Sequence, residues 1–132
     1  MSRTYEHFIR EANLIGGEWV KADSGQSIDV FNPATRRKIG VVPKSGRSET
    51  KRAIEAAAKA FDSWKRTSAL ERSKLMRTLH DVIMANQNAL AELLTLEQGK
   101  PLAEAKGETL LAGLAQQLVA VERRDLDRKS VV

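Results

Sequence analysis

The spacing of apolar residues changes near Pro43, and no single regular element accommodates both halves. Before that point apolar side chains alternate or come in short runs, the signature of strands. Beyond it they recur every three or four positions, the signature of amphipathic helices. In the first half, Leu14-Ile15 and Trp19-Val20 flank Gly16-Gly17, a pair suited to a tight hairpin turn because glycine accepts positive φ. The run Ala22-Asp-Ser-Gly-Gln26 is a loop by composition. The alternation of Ile28 and Val30 predicts a strand over Ser27 to Phe31, and Ile39 to Val42 predicts another. Pro43 lacks a backbone donor and suits the end of that strand. Between the two strands, Asn32-Pro33-Ala34-Thr35 is turn chemistry, with Pro33 fixing φ and the Asn32 side chain able to bond back to the backbone.

The second half predicts helices. Ser45 or Ser48 is placed to cap the first, whose apolar residues Ile54, Ala57, Ala58, Phe61 and Trp64 share one face. Ser68-Ala-Leu-Glu71 is a capping box that opens a second helix bearing Leu75, Met76, Leu79, Val82 and Ile83. The polar run Asn86-Gln87-Asn88 breaks that helix and starts a third with Leu90, Leu93 and Leu94. Gly99 is placed to end it and Pro101 to open the next, along which Leu110 or Leu111, Leu114, Leu118 and Val121 keep a helical period. Strands followed by helices make this stretch α+β when taken alone.

Composition narrows the function classes. With 132 residues the chain amounts to one domain at most. Its aromatic residues are Tyr5, Phe8, Trp19, Phe31, Phe61 and Trp64, two of them in a leader (residues 1–12) read as loose. So few large side chains predict a modestly stable core. The net charge of +5 would attract anions weakly. Its basic residues are scattered among acidic ones with no interleaved aromatics, so nucleic acid is not expected as a partner. No apolar run approaches the roughly 20 residues needed to span a bilayer. Arg3, Glu6, Arg10 and Glu11 interrupt any secretory core in the leader, and a cytoplasmic location is expected.

Three stretches carry a family resemblance: Asn13-Leu-Ile-Gly-Gly-Glu-Trp-Val20, Phe31-Asn-Pro-Ala-Thr35 and Leu94-Thr-Leu-Glu-Gln-Gly-Lys-Pro-Leu-Ala-Glu-Ala-Lys-Gly-Glu108. In combination they resemble the amino-terminal part of aldehyde dehydrogenases, and the last is most similar to NAD(P)-dependent succinate-semialdehyde dehydrogenases. Such enzymes are several times longer. The resemblance implies that this stretch is an outer part of a Rossmann-like cofactor domain, in an α/β enzyme with a catalytic domain and a small oligomerisation element. A chain restricted to this region would leave an apolar face exposed where the absent sheet packs. The resemblance spans Leu14 to Glu108, giving a leader (1–12), an amino-terminal dehydrogenase portion (13–108) and a divergent helical and charged tail (109–132). Relatives continue with an aromatic-rich helix, whereas Thr109 to Leu118 has no aromatic residue and Glu122 to Lys129 is highly charged. A frameshift or gene-end rearrangement near Gly107 to Thr109 is the expected origin of that change. Arg36 departs from the glycine usual in the family, at a cost of about 1 kcal/mol if the position needs positive φ.

The family's chemistry needs a thiolate nucleophile, a nicotinamide hydride acceptor, amide donors for an oxyanion and a carboxylate to activate water. This chain encodes no cysteine. Gly16-Gly17 does not open a helix and so forms no phosphate loop. The family's nucleophile, glutamate, oxyanion asparagine and main cofactor contacts match sequence beyond residue 132, so no catalytic, cofactor-binding or metal-binding residue carries over. The resemblance implies NAD or NADP for the intact enzyme and no cofactor for this chain alone. Some relatives hold a structural cation on backbone carbonyls at positions matching Val30, Phe31 and Glu97, with a further ligand lying outside this stretch. Glu97-Gln98-Gly99-Lys100-Pro101 reads as one helix stopping and another starting. His7 and His80 lack companions at metal-ligand spacing, and Ser68 is accounted for by capping. The reading is therefore an inactive portion of a semialdehyde dehydrogenase. A helical module that associates with intact dehydrogenase subunits, or with itself, is the alternative.

Overall fold

The computed structural model describes residues 5–113. Two compact units emerge. Of the described residues, 5–66 with Leu96–Gly99 form one; Thr67–Thr95 with 100–113 form the other.

The first unit is built from two hairpins and a helix. Strands β1 (Asn13–Ile15) and β2 (Glu18–Val20) pair antiparallel with Leu14 opposite Trp19. The two-residue turn has φ of 62° at Gly16 and 89° at Gly17, the sense that matches the twist of paired strands. Strands β3 (Ser27–Phe31) and β4 (Lys38–Pro43) form a second antiparallel pair. Their register slips by one residue between Val30↔Gly40 and Phe31↔Lys38, a bulge that leaves Ile39 unpaired. An ion pair at 2.7 Å joins Asp29 to Lys38 across the strands. The connecting turn is held by Asn32, whose Oδ1 accepts from the amides of Ala34 (2.9 Å) and Thr35 (3.1 Å). Its last corner places Arg36 at φ 57°, the left-handed conformation for which glycine is the usual residue.

Helix α1 (Arg47–Trp64) follows. Its N-cap is Gly46, not Ser45 or Ser48 as the sequence suggested. Both serines are engaged elsewhere: Ser45 Oγ accepts from Asn13 Nδ2 at 2.6 Å, and the Ser48 hydroxyl bonds Asp23 and Glu49. The leader is also less loose than expected. Tyr5 is only 4% exposed, a short 3₁₀ turn covers Glu6–Phe8, and the Arg10 guanidinium lies 5.9 Å from the Trp19 ring centroid.

The second unit is helical. In α2 (Ala69–Ala85) the predicted capping box is present: Ser68 Oγ accepts from the Glu71 amide, and the Glu71 carboxylate accepts from the Ser68 amide. Asn86 breaks the helix, its side chain donating to the Val82 carbonyl while its own carbonyl receives Leu90 N–H. Helix α3 (Gln87–Gln98) ends at Gly99, φ 75°, and its last turn belongs to the first unit. Pro101 then accepts from the Ala105 amide and opens α4, helical from 102 through 113. The calls on Leu114, Leu118 and Val121, and the charged tail, lie outside the described residues. Among the described residues no helix is long and apolar enough to cross a membrane.

Among the described residues no large aliphatic side chain is fully buried. Among the described residues the buried apolar ones are Tyr5 and four alanines, Ala22, Ala89, Ala91 and Ala105. Leu14, Trp19, Phe31, Ile54, Phe61, Leu75, Val82 and Leu111 are all exposed. Fully burying one such side chain contributes about 1.5–3 kcal/mol, and at these exposures roughly half of that is unrealised. Arg36 provides the test of local strain. Arg36→Gly is expected to raise the free energy of unfolding by about 1 kcal/mol in a urea titration, since it relieves the left-handed penalty. An unchanged or lower midpoint would contradict that.

Candidate functional site

One carboxylate in the first unit, Glu49, accepts three hydrogen bonds. It is 3% exposed, and an ionised glutamate is buried only where hydrogen bonds replace its water. Its Oε1 accepts from the Asp23 amide at 2.7 Å, while Oε2 accepts from the Gly46 amide at 2.9 Å and the Ser48 hydroxyl at 2.8 Å. These donors stabilise the charged form. The bond from Asp23 N–H leads, followed by those from Gly46, its own amide and Ser48, and together they lower the Glu49 pKa to about 2. Asp23 in turn accepts from both terminal guanidinium nitrogens of Arg52, Nη2 at 2.7 Å and Nη1 at 2.8 Å. That pair, with help from Ser48, holds the Asp23 pKa below its ordinary value. The arrangement joins the Ala22–Gln26 loop to the first turn of α1. Sequence reading missed it, although glutamate three residues after the true cap was a legible half of a capping box.

Two turns singled out in the sequence also come together. A Cβ placed on Gly99 would stand 2.9 Å from Pro33 Cγ, so the Glu97-Gln98-Gly99 helix stop packs directly on the Asn32-Pro33 turn. In the second unit, Lys100 Nζ pairs with the Glu108 carboxylate, and Gln87 Nε2 donates to the Lys106 carbonyl. The 94–108 stretch thus owes its character to one helix ending, the next beginning and an ion pair across the junction. His80 Nδ1 lies 3.0 Å from Asp81 Oδ1, and Ser68 acts as a cap. Among the described residues no group of three or more His, Asp or Glu is placed to hold a metal. Val30 and Phe31 lie in the same unit as Glu97. An open groove between the first hairpin and α1 is lined by Leu14, Ile15, Ala53, Ala56 and Ala60 among others, with no acid or imidazole among its lining residues. The carboxylates that are held below their ordinary pKa are all engaged in fold contacts, which makes their role positional.

Two predictions follow from these contacts. Because the folded pKa of Glu49 lies below its ordinary value near 4.5, its contribution is complete above that pH and is lost as pH falls toward about 2. Asp23 and Glu71, also lowered, act in the same direction. Urea titrations from pH 7 to pH 2 should therefore show stability falling through this acidic window. Glu49→Gln should be less stable at pH 7 and lose less on acidification; an identical pH profile would contradict the assignment. Gly99→Ala meets both a left-handed φ and the Pro33 ring, and should cost about 1–3 kcal/mol in the same measurement.

Comparison with known proteins places this geometry. Residues 19–131 match the aldehyde dehydrogenase family, a stretch lying on both sides of Thr109. Glutarate-semialdehyde dehydrogenase of Pseudomonas putida is 54% identical over 104 residues, covering 79% of this chain and 22% of that enzyme. Succinate semialdehyde dehydrogenase of Acinetobacter baylyi is 46% identical over 85% of this chain and 23% of that protein. A crystal structure of an Escherichia coli NADP-dependent enzyme superposes with a TM-score of 0.85 at 46% identity, over 88% of this chain and 24% of that one. The succinate-semialdehyde dehydrogenase structure from Burkholderia pseudomallei gives 0.79 at 49% identity, over 82% of this chain and 22% of that one. The chain therefore spans less than a quarter of the length of these relatives, and the matched region is their amino-terminal part. The backbone is thus that of the amino-terminal part of these enzymes, and the chain belongs to the aldehyde dehydrogenase family.

Proposed function

We propose that this chain supplies the amino-terminal portion of an NAD(P)-dependent oxidoreductase acting on a short dicarboxylic semialdehyde, and that alone it does not oxidise aldehydes. The observation that carries the reading is the near-half identity to succinate- and glutarate-semialdehyde dehydrogenases in a chain with no cysteine at any of its 132 positions. Oxidising an aldehyde to the acid level through a thioester requires a sulfur atom that attacks the carbonyl carbon. Here the residues near the best-formed contacts are otherwise occupied. Glu49 is saturated with donors, Asp23 is paired with Arg52, and Ser68 is paired with Glu71. The role these residues support is to hold hairpins and helices in a fixed arrangement. NAD or NADP would bind elsewhere in the complete enzyme, and a cytoplasmic setting goes with the same reading.

Two carbon-chain lengths fit the relatives, since succinate and glutarate semialdehyde differ by one methylene. The proposal therefore names the class: an aldehyde with a carboxylate a few carbons away. Purified chain mixed with either semialdehyde and NAD or NADP should give no rise in absorbance from reduced nicotinamide. Mass spectrometry should find no acyl adduct on it. Turnover, or a covalent adduct on any residue, would overturn the inactive reading.

A further inference from the structure

Gly40 sits inside β4, opposite Val30, where a strand ordinarily carries a side chain. Its φ lies outside the left-handed region, so the backbone there does not call for glycine. What the missing side chain permits is a close approach. A Cβ built at Gly40 would lie 3.4 Å from Ile9 Cγ2, so the Ile9 side chain rests directly on the strand. The next residue in sequence reaches the other hairpin, where the Arg10 guanidinium lies 5.9 Å from the Trp19 ring centroid on β2.

Among the described residues the two hairpins are separate two-stranded sheets, and a sheet of two strands is marginally stable by itself. A bond at 2.6 Å from Asn13 to Ser45 ties the start of β1 to the segment just after β4. Residues 5–10 add a second tie. Tyr5, 4% exposed, anchors their start. The Phe8 and Ile9 amides donate to the Tyr5 and Glu6 carbonyls, and Arg10 Nη1 donates to the His7 and Ile9 carbonyls. These bonds close within the segment and fix its shape, which lets neighbouring side chains meet different hairpins. We infer that residues 5–10 form a strap across both hairpins, seated on β4 by Ile9 at Gly40 and on β2 by Arg10 at Trp19. Both seats are side-chain contacts, so the strap lifts without breaking a ladder bond of either sheet. Unseating it at one hairpin therefore loosens it at the other.

The experiment uses the full 132-residue chain carrying Trp64→Phe, which leaves Trp19 as its one tryptophan. Two readouts report the two seats: amide hydrogen exchange at Phe8 and Ile9, and acrylamide quenching of Trp19 emission. Gly40→Val puts a branched side chain where Ile9 rests, although valine suits a strand better than glycine does. It should speed exchange at Phe8 and Ile9 about tenfold, through local opening of the strap. It should also raise Trp19 quenching about 1.5-fold, because Arg10 leaves the ring. Ile9→Ala changes no strand residue and should produce both effects by itself; adding Gly40→Val to it should then change neither further. Faster exchange at Phe8 and Ile9 with Trp19 quenching unchanged would overturn the link between the hairpins. Both readouts unchanged in Ile9→Ala would overturn the seat on Gly40. A further rise on adding Gly40→Val to Ile9→Ala would assign the effect to a damaged strand and overturn the strap as its cause.

Discussion

A buried carboxylate organises the first unit. Glu49 is removed from water, yet it keeps its charge because two backbone amides from different segments and the Ser48 hydroxyl point at it. One of those amides belongs to the loop after the first hairpin, and another belongs to the cap of α1. The same negative charge also lies in the first turn of the helix, where the peptide dipoles favour it. Removing the carboxylate would leave the Gly46 and Asp23 amides unsatisfied at once, and buried unpaired donors cost more than the bonds contribute when made. With no large aliphatic side chain fully buried among the described residues, these directional contacts share the positioning that a packed core ordinarily provides.

This division of labour decides what the sequence could disclose. Elements set by local chemistry were legible: the Gly16-Gly17 turn, the bond from the Asn32 side chain, the Ser68–Glu71 box, the break at Asn86 and the stop at Gly99. Each depends on a conformation or a donor within a few residues. The two misread features depend on distant partners. Ser45 and Ser48 have the right chemistry to cap α1, but Asn13 and Asp23 claim them, and a glycine takes the cap because Glu49 satisfies its amide from within the helix. Tyr5 looked like part of a loose leader because charged residues surround it in sequence, yet it is buried. Periodicity found the apolar residues of α1 without revealing that Ile54 and Phe61 are exposed while Glu49 is buried.

The stretches that carry the family resemblance turn out to be architectural. Gly16 and Gly17 close a hairpin, Asn32 and Pro33 form a turn, Gly99 rests on that turn, and Lys100 and Glu108 pair across a helix junction. Each of these is a contact within the fold. Family membership is readable from such positions because turns and caps are demanding of residue type whatever the substrate. For the same reason the relatives include enzymes for both a four-carbon and a five-carbon semialdehyde at comparable identity. Discrimination of one methylene amounts to only about 1–3 kcal/mol in a pocket, and turn geometry is blind to it.

Arg36 and Gly99 show how tightly such positions are held. Both adopt left-handed backbone, with φ of 57° and 75°. At Arg36 the side chain is exposed, so the penalty is that of the dihedral alone, about 1–2 kcal/mol, and the turn survives it because Asn32 secures the neighbouring amides. At Gly99 the Pro33 ring occupies the space a Cβ would need, and that ring is tethered in a turn of its own. A side chain there would have to bear the dihedral cost and displace a neighbouring segment together. The same φ requirement is therefore negotiable at residue 36 and binding at residue 99, and the difference lies in the neighbour rather than in the backbone angle.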